Sequence, residues 1–145
     1  MIKIVSERID ESSILESVKS DNAGACILFS GTTRRVTGDK VTDSLGYQAY
    51  EEMAINELKK LRTAAMHRWS LMECAIVHRV GEVAVGQTSV VVAVSSAHRV
   101  EAFEAAAWIM DTLKTSVPIW KKETYQSGDT EWVHPNNAAQ SAEGK

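Results

Sequence analysis

One proline fixes where the best-defined helix of this sequence must end. From His98 to Val117 apolar residues recur at helical spacing, which predicts a helix with one buried face. Pro118 cannot continue that helix, and it forces Val117 out of helical geometry. The run 119–123 is therefore predicted to leave the helix as a short strand. The apolar stripe predicted to be buried comprises Phe103, Ala106, Ala107, Met110, Leu113 and Val117.

The start of this helix is a predicted anion site. His98 can cap the helix with Glu101 three residues later, although Ser95 or Ser96 can serve as the cap instead. Free backbone N–H groups and the positive end of the helix dipole favour a phosphate or carboxylate beside His98 and Arg99.

Three lysines flank the turn at Pro118. Lys114 lies about 40° around the helix from Met110, at the edge of the predicted buried stripe. Alternation along the strand puts Lys121 and Lys122 on opposite faces, so one of them can approach Lys114 while the other points away. The same spacing is also typical of three ordinary surface lysines.

Composition narrows the class of protein. The chain of 145 residues, with 44% hydrophobic and 24% charged residues, fits one globular domain with a real core. A net charge of −3 gives no basic field for nucleic acid. The two isolated cysteines indicate reduced thiols, and neither a signal peptide nor a membrane-length apolar run is recognisable. We therefore expect a cytoplasmic protein with no membrane partner.

The predicted elements follow the order β-α-β-β-α-β-β-α-β-β, which indicates an α+β domain. A loop is expected over 36–41, a polar interruption at His78-Arg79 and a hairpin turn at 127–129. The domain is expected to span 1–133, and 134–145 to form a polar, flexible tail. The predicted strands are 2–5, 25–29, 44–50, 73–83, 89–94, 119–123 and 131–133, and the first two helices run from Asp10 or Ser12 to about Ser20 and from Glu51 to about Ser70.

Familiar chemical motifs are missing from the sequence. The four histidines lack the spacing of metal ligands, and neither cysteine has a neighbouring one. There is no Gly-x-Ser-x-Gly elbow, Walker loop or Gly-x-Gly-x-x-Gly, so neither a metal nor a nucleotide cofactor is predicted. We expect a site built from Lys, Arg and His for an anionic substrate. Arg34 and Arg35, beside Gly31 at a strand end, either hold an anion or are simply solvated.

Seven short segments carry a resemblance to a known family: 29–34 (FSGTTR), 47–54 (YQAYEEMA), 78–81 (HRVG), 95–99 (SSAHR), 101–103 (EAF), 111–114 (DTLK) and 118–123 (PIWKKE). In this order they resemble the catalytic (large) subunits of molybdopterin synthase, over roughly 2–133. The family often has Glu where this chain has Gln48, so the chain departs from the pattern there.

The resemblance implies an α/β hammerhead fold with mixed and antiparallel sheets. It also implies a homodimer that binds one small ubiquitin-like subunit at each end, giving a heterotetramer. The small subunit carries a C-terminal Gly-Gly thiocarboxylate, from which two sulfurs pass to cyclic pyranopterin monophosphate to form the dithiolene of molybdopterin.

The resemblance also implies roles for individual residues. A lysine in an apolar pocket with other cations would have a lowered pKa, which suits an acid or a base. A non-catalytic module that binds a partner's C-terminal carboxylate is the alternative for the same cations. The matching positions are Lys114 and Lys121 in the active pocket, Arg34, His98 and Arg99 in an anion pocket shared across the dimer, and Phe29 and Met110 in the pocket wall.

Overall fold

The computed structural model describes residues 1–133, so the predicted tail lies outside the described residues. Three helices and two sheets make up this part of the chain, and the α+β prediction is confirmed. The elements are β1 (Ile2–Val5), α1 (Glu11–Val18), β2 (Ala25–Thr32), β3 (Val36–Thr37), β4 (Lys40–Ala49), α2 (Glu51–Arg68), β5 (Glu73–Arg79), β6 (Gly81–Ala84), β7 (Thr88–Ser96), α3 (Arg99–Ser116), β8 (Ile119–Tyr125) and β9 (Thr130–Val133).

The first sheet is mixed and has the order β1-β5-β7-β2, with only the β1–β5 pair parallel. The valine-rich β7 lies inside it and is buried on both faces, as its sequence predicts. Alternation directs Val92 toward the core under α2 and α3, and Val91 toward the core under α1. The sheet is therefore covered by helices on both sides.

The second sheet is antiparallel and has β4 at its centre. One side of β4 pairs with β8, which in turn pairs with β9, and β6 pairs along the other side. The strand after Pro118 thus becomes an interior strand of this sheet.

Helix α1 begins at Asp10, whose carboxylate accepts a hydrogen bond from the backbone N–H of Ser13 at 3.2 Å. It ends at Val18, slightly before the predicted end. Helix α2 buries Ala54 and Leu58 against the first sheet. None of the helices within 1–133 is long and apolar enough to cross a membrane.

The loop predicted over 36–41 is wrong, because these residues form a β-hairpin. Val36 pairs with Val41, and Thr37 pairs with Lys40, around a two-residue turn. Gly38 has a φ of 63°, which is the backbone conformation that such a tight hairpin turn requires. The two strands were not predicted because the segment is short and largely polar.

The single strand predicted over 73–83 is also wrong, because the chain passes here from one sheet to the other. β5 belongs to the first sheet, and β6 pairs with β4 in the second. The break falls beside Gly81, whose φ of 89° suits glycine, and not at His78, which is buried within β5.

The predicted apolar stripe of α3 is partly wrong, since Ala106, Leu113 and Val117 are buried as predicted but two other members are not. Phe103 is 62% exposed and Ala107 is exposed, whereas Ala102, Ala105 and Ile109 are fully buried. The helix packs against both the first sheet and α2, and the small alanines allow this close contact. Its end is as predicted, with Val117 as the C-cap residue before Pro118.

Candidate active site

The turn at Pro118 is held by three backbone hydrogen bonds. The N–H of Val117 donates to the carbonyl of Leu113 at 3.2 Å and closes the helix, and the N–H of Ile119 donates to the carbonyl of Val117 at 2.8 Å. The N–H of Tyr50 donates to the carbonyl of Pro118 at 3.3 Å and ties the turn to the start of α2. The end of α3 is therefore fixed in place against the beginning of β8.

Strand β8 separates its two lysines onto opposite faces. Lys121 shares a face with Ile119 and Glu123, which are 4% and 8% exposed. Lys122 points the other way, and its Nζ lies 5.8 Å from the ring centroid of Trp132. Lys121 is therefore the lysine on the inward face of the sheet, and it is half-buried.

The pKa of Lys121 depends on its burial and on three other charged side chains. Burial lowers the pKa of Lys121 below its ordinary value, and the negative charge of Glu123 opposes this shift. The positive charges of Lys114 and Arg34 lower the pKa further, so both lie within electrostatic range of Lys121. Lys121 on β8 is thus influenced by one cation from α3 and by one from the segment after β2.

Glu123 is a buried carboxylate that the sequence reasoning did not assign to the site. Its Oε1 accepts a hydrogen bond from the hydroxyl of Thr42 on β4, and its Oε2 lies 3.3 Å from the hydroxyl of Tyr125. The Tyr125 hydroxyl also lies 2.9 Å from Oε2 of Glu131. The signal that could have found Glu123 is its position two residues after Lys121, on the same face of a strand.

Tyr47 lies beside Lys121 and packs against His78, and neither residue was predicted to belong to the site. Tyr47 is the cross-strand partner of Lys121 on β4, and its hydroxyl lies 3.3 Å from Oγ of Ser89. The ring of Tyr47 meets the ring of His78 edge to face at 5.0 Å. Burial lowers the pKa of His78 to about 4 and raises the pKa of Tyr47, so both are neutral at pH 7.

Phe29 and Met110 lie in the second halves of β2 and α3, toward the end of the molecule at which α3 meets Pro118. β2 runs antiparallel to β7, and α3 returns over β7, so β2 and α3 run in the same direction. Phe29 in the second half of β2 is 40% exposed, and Met110 in the second half of α3 packs partly against the core. A Cβ on Gly31 would lie 2.6 Å from Cγ1 of Val90 and 3.4 Å from Cε1 of Phe29, so glycine lets the Phe29 ring lie close here.

His98 and Arg99 lie at the other end of α3. Arg99 is its first residue and Lys114 belongs to its last turn, so about 22 Å of helix separates them at about 1.5 Å per residue. Both His98 and Arg99 are exposed, and the Oγ of Ser96 donates to the carbonyl of His98 at 2.5 Å. Within one copy of the chain, the charges of Arg34 and Lys114 act on Lys121, whereas His98 and Arg99 lie at the opposite end of α3 from Lys114.

The family model described as "MoaE protein" matches residues 4–116 of this sequence. The chain belongs to the MoaE protein family. Within residues 1–133 of this MoaE chain, no group of three or more His, Cys, Asp and Glu side chains could hold a metal ion.

Relatives and solved structures agree with the family assignment. The MoaE chain is 42% identical to the molybdopterin synthase catalytic subunit of Bos taurus, over 91% of this chain and 70% of that protein. It resembles the crystal structure of molybdopterin synthase from Staphylococcus aureus with a TM-score of 0.85 and 33% identity, covering 90% of this chain and 94% of that one.

A third similarity concerns the fold alone. A chain from Helicobacter pylori, in a structure described as the complex of subunits 1 and 2 of molybdopterin-converting factor, matches with a TM-score of 0.73 and 23% identity. The match covers 92% of this chain and 88% of that one. The Helicobacter pylori chain thus shares the fold of this chain despite the low sequence identity.

Proposed function

We propose that this chain is the catalytic subunit of a molybdopterin synthase, a sulfurtransferase of molybdenum cofactor biosynthesis. It transfers two sulfurs from the thiocarboxylated C-terminus of a small ubiquitin-like subunit to cyclic pyranopterin monophosphate, which yields the dithiolene of molybdopterin. The observation that carries this proposal is the half-buried Lys121, which follows the Pro118 turn of a MoaE chain and is influenced by the charges of Lys114 and Arg34.

The chemistry requires positive charge and a mobile proton. Each sulfur transfer passes through an acyl-thio intermediate on which negative charge develops, and opening the cyclic phosphate needs a proton or an equivalent stabilising charge. Cations fixed in a partly desolvated pocket stabilise such oxyanions more strongly than cations in water do. The cluster at the Pro118 turn provides this environment.

Lys121 is the group that moves the proton. Its half-buried position and its cationic neighbours lower its pKa, which brings the ammonium closer to the neutral range where acids and bases work best. Lys114 is exposed at the end of α3 and contributes positive charge toward the same point. Phe29 and Met110 supply the apolar wall.

The substrate phosphate is held by arginine. The planar fork of Arg34 matches two phosphate oxygens at once, which a lysine cannot reproduce. His98 and Arg99 complete this anion pocket from a second copy of the chain, because within one copy they lie too far from Lys114. The assembly is a homodimer with one small subunit at each end, and the Helicobacter pylori structure of two different subunits supports such a partner.

We place the protein in the cytoplasm. Cys26 is exposed and Cys74 is buried, and neither forms a disulfide. An exposed free thiol is typical of proteins in a reducing compartment.

Reconstitution tests the proposed function. The purified chain is mixed with the small subunit in its thiocarboxylate form and with cyclic pyranopterin monophosphate, and molybdopterin is quantified against the sulfur consumed. We expect one molybdopterin for every two thiocarboxylates, and none when the small subunit ends in an ordinary carboxylate. Tight binding of the small subunit without any product would instead support the non-catalytic, carboxylate-binding module.

A further inference from the structure

We propose that Tyr47 is a positioning residue for Lys121: its ring packs against the aliphatic stem of the lysine and keeps the ammonium directed into the site. This inference rests on the proposed function, in which Lys121 moves the proton. Tyr47 is partly buried beside Lys121, yet the steps of the proposed reaction do not use its phenol.

Two side chains flank Lys121 within the second sheet. Tyr47 on β4 is its cross-strand partner on one side, and Val133 on β9 is its partner on the other. Directly opposed residues of antiparallel strands share a face of the sheet, with Cβ atoms about 4.5–5.5 Å apart. The methylene stem of Lys121 therefore lies between an aromatic ring and a smaller apolar side chain.

The ring of Tyr47 is anchored to the first sheet. Its hydroxyl donates a hydrogen bond to Oγ of Ser89 on β7 at 3.3 Å, and this Oγ donates to the carbonyl of Gly31 on β2 at 3.3 Å. The ring of His78 on β5 meets the Tyr47 ring edge to face at 5.0 Å. Since Ser89 and His78 are only 5% and 4% exposed, both anchors are parts of the packed interior.

An anchored ring is suited to holding a lysine. Lysine loses more rotamer freedom than most side chains when it is fixed, whereas tyrosine has only two rotatable side-chain bonds. The lysine stem is apolar and can be covered by the ring while the ammonium extends beyond it. Tyr47 therefore supplies a rigid surface that limits the directions in which Lys121 can point.

Tyr47 also acts on Lys121 without adding charge. Burial raises the pKa of Tyr47 and lowers the pKa of His78 to about 4, so both rings are neutral at pH 7. The ring thus contributes to the environment of the ammonium by excluding water. The charged side chains that act on Lys121 lie outside β4, and they are Glu123, Lys114 and Arg34.

Nuclear magnetic resonance of the wild-type chain tests the contact without any variant. The ring protons of Tyr47 should give nuclear Overhauser effects to the side-chain methylenes of Lys121, and the ring current should shift those methylene resonances. Lys122 is the internal control, because it points to the opposite face of β8 and should show no such effect from Tyr47. The absence of these effects at Lys121 would overturn the proposal.

Competitive labelling of the lysines with trace acetic anhydride, read residue by residue by mass spectrometry across a pH series, measures the pKa of Lys121 without measuring activity. Tyr47→Leu removes the ring and admits water, so the pKa of Lys121 should rise toward its ordinary value. Tyr50→Leu is the matched control, because Tyr50 is 66% exposed and packs against Trp120. An unmoved pKa of Lys121 in a folded Tyr47→Leu chain would contradict the proposal.

Sulfur transfer then separates the ring from the hydroxyl. Tyr47→Leu should slow single-turnover transfer by on the order of 10²-fold, as a misplaced reacting group does, with little change in the Michaelis constant for the pterin. Tyr47→Phe keeps the ring and should remain within a few-fold of wild type. A Tyr47→Phe chain as slow as Tyr47→Leu would overturn the proposal, because the hydroxyl would then be the group that matters. If the resonance and labelling results are as expected but the wild type forms no molybdopterin, the proposed function fails and the hold of Tyr47 on Lys121 stands.

Discussion

Lys121 and Glu123 lie on the same inward face of β8, with the buried carboxylate two residues beyond the half-buried ammonium. Burial lowers the pKa of Lys121, and Glu123 is the largest influence in the opposite direction. Thr42 and Tyr125 hold Glu123 in place from two sides. The protonation of Lys121 is therefore set by a balance in which desolvation and neighbouring positive charges oppose one fixed negative charge.

Replacing Glu123 should change that balance in a known direction. Glu123→Gln removes the charge that raises the pKa of Lys121, so the pKa should fall further, and the part of the pH–rate profile that reports Lys121 should move to lower pH. The measurement is single-turnover sulfur transfer across a pH series. Glu131→Gln is the control, because Glu131 also contacts the Tyr125 hydroxyl but is exposed. An unmoved profile in Glu123→Gln would show that Glu123 has a purely structural role.

His78 should make the fold sensitive to acid. Its pKa is lowered from 6.5 to about 4 by burial, so the unfolded chain binds this proton at higher pH than the folded chain does. The free energy of unfolding should therefore fall as pH drops from 6.5 to 4, by on the order of 3 kcal/mol from this group.

The measurement is urea unfolding at several pH values in that window. A His78→Phe variant should lose this share of the pH dependence, whereas His67→Phe, at an exposed position on α2, should keep it. Equal pH dependence in the wild type and in His78→Phe would mean that His78 is not the responsible group.

Arg34 should serve the substrate and not the protein partner. Arg34→Ala should raise the Michaelis constant for the pterin by the equivalent of about 1.5–3 kcal/mol, the range for a lost hydrogen bond to a charged group. Binding of the small subunit, measured by calorimetry, should change much less. Arg35→Ala, next to it in the same exposed segment, is the control and should leave both quantities near wild type. Equal losses of both in Arg34→Ala would assign Arg34 to the protein interface.

Local signals in the sequence were enough to predict the turn at Pro118 and the central strand β7. Proline ends a helix because it cannot continue the helical hydrogen bonds. A run of valines is typical of a strand that is buried on both faces. Simple alternation also separates Lys121 and Lys122 onto opposite faces of β8, but it does not say which of the two faces inward.

Features that depend on contacts between residues far apart in the sequence could not be predicted from local signals. The sequence around Gly81 does not indicate that β5 and β6 belong to different sheets. Their separation depends on the pairing of β6 with β4, which is distant in the sequence. The exposure of Phe103 depends on which sides of α3 the sheet and α2 cover. His98 and Arg99 are local to one helix end, but the structure of one copy does not bring them to the lysines.

The most direct test of the account compares the three lysines around the Pro118 turn in single-turnover sulfur transfer from the thiocarboxylated small subunit. Lys121→Ala and Lys114→Ala should each reduce the rate by roughly 10²–10⁴-fold, as the loss of an acid, a base or a fixed charge at a reacting centre does. Lys122→Ala should stay within a few-fold of wild type, because Lys122 is on the opposite face of β8 beside Trp132. All three variants should melt near the wild-type temperature. Full transfer by Lys121→Ala, or a large loss in Lys122→Ala alone, would contradict the account.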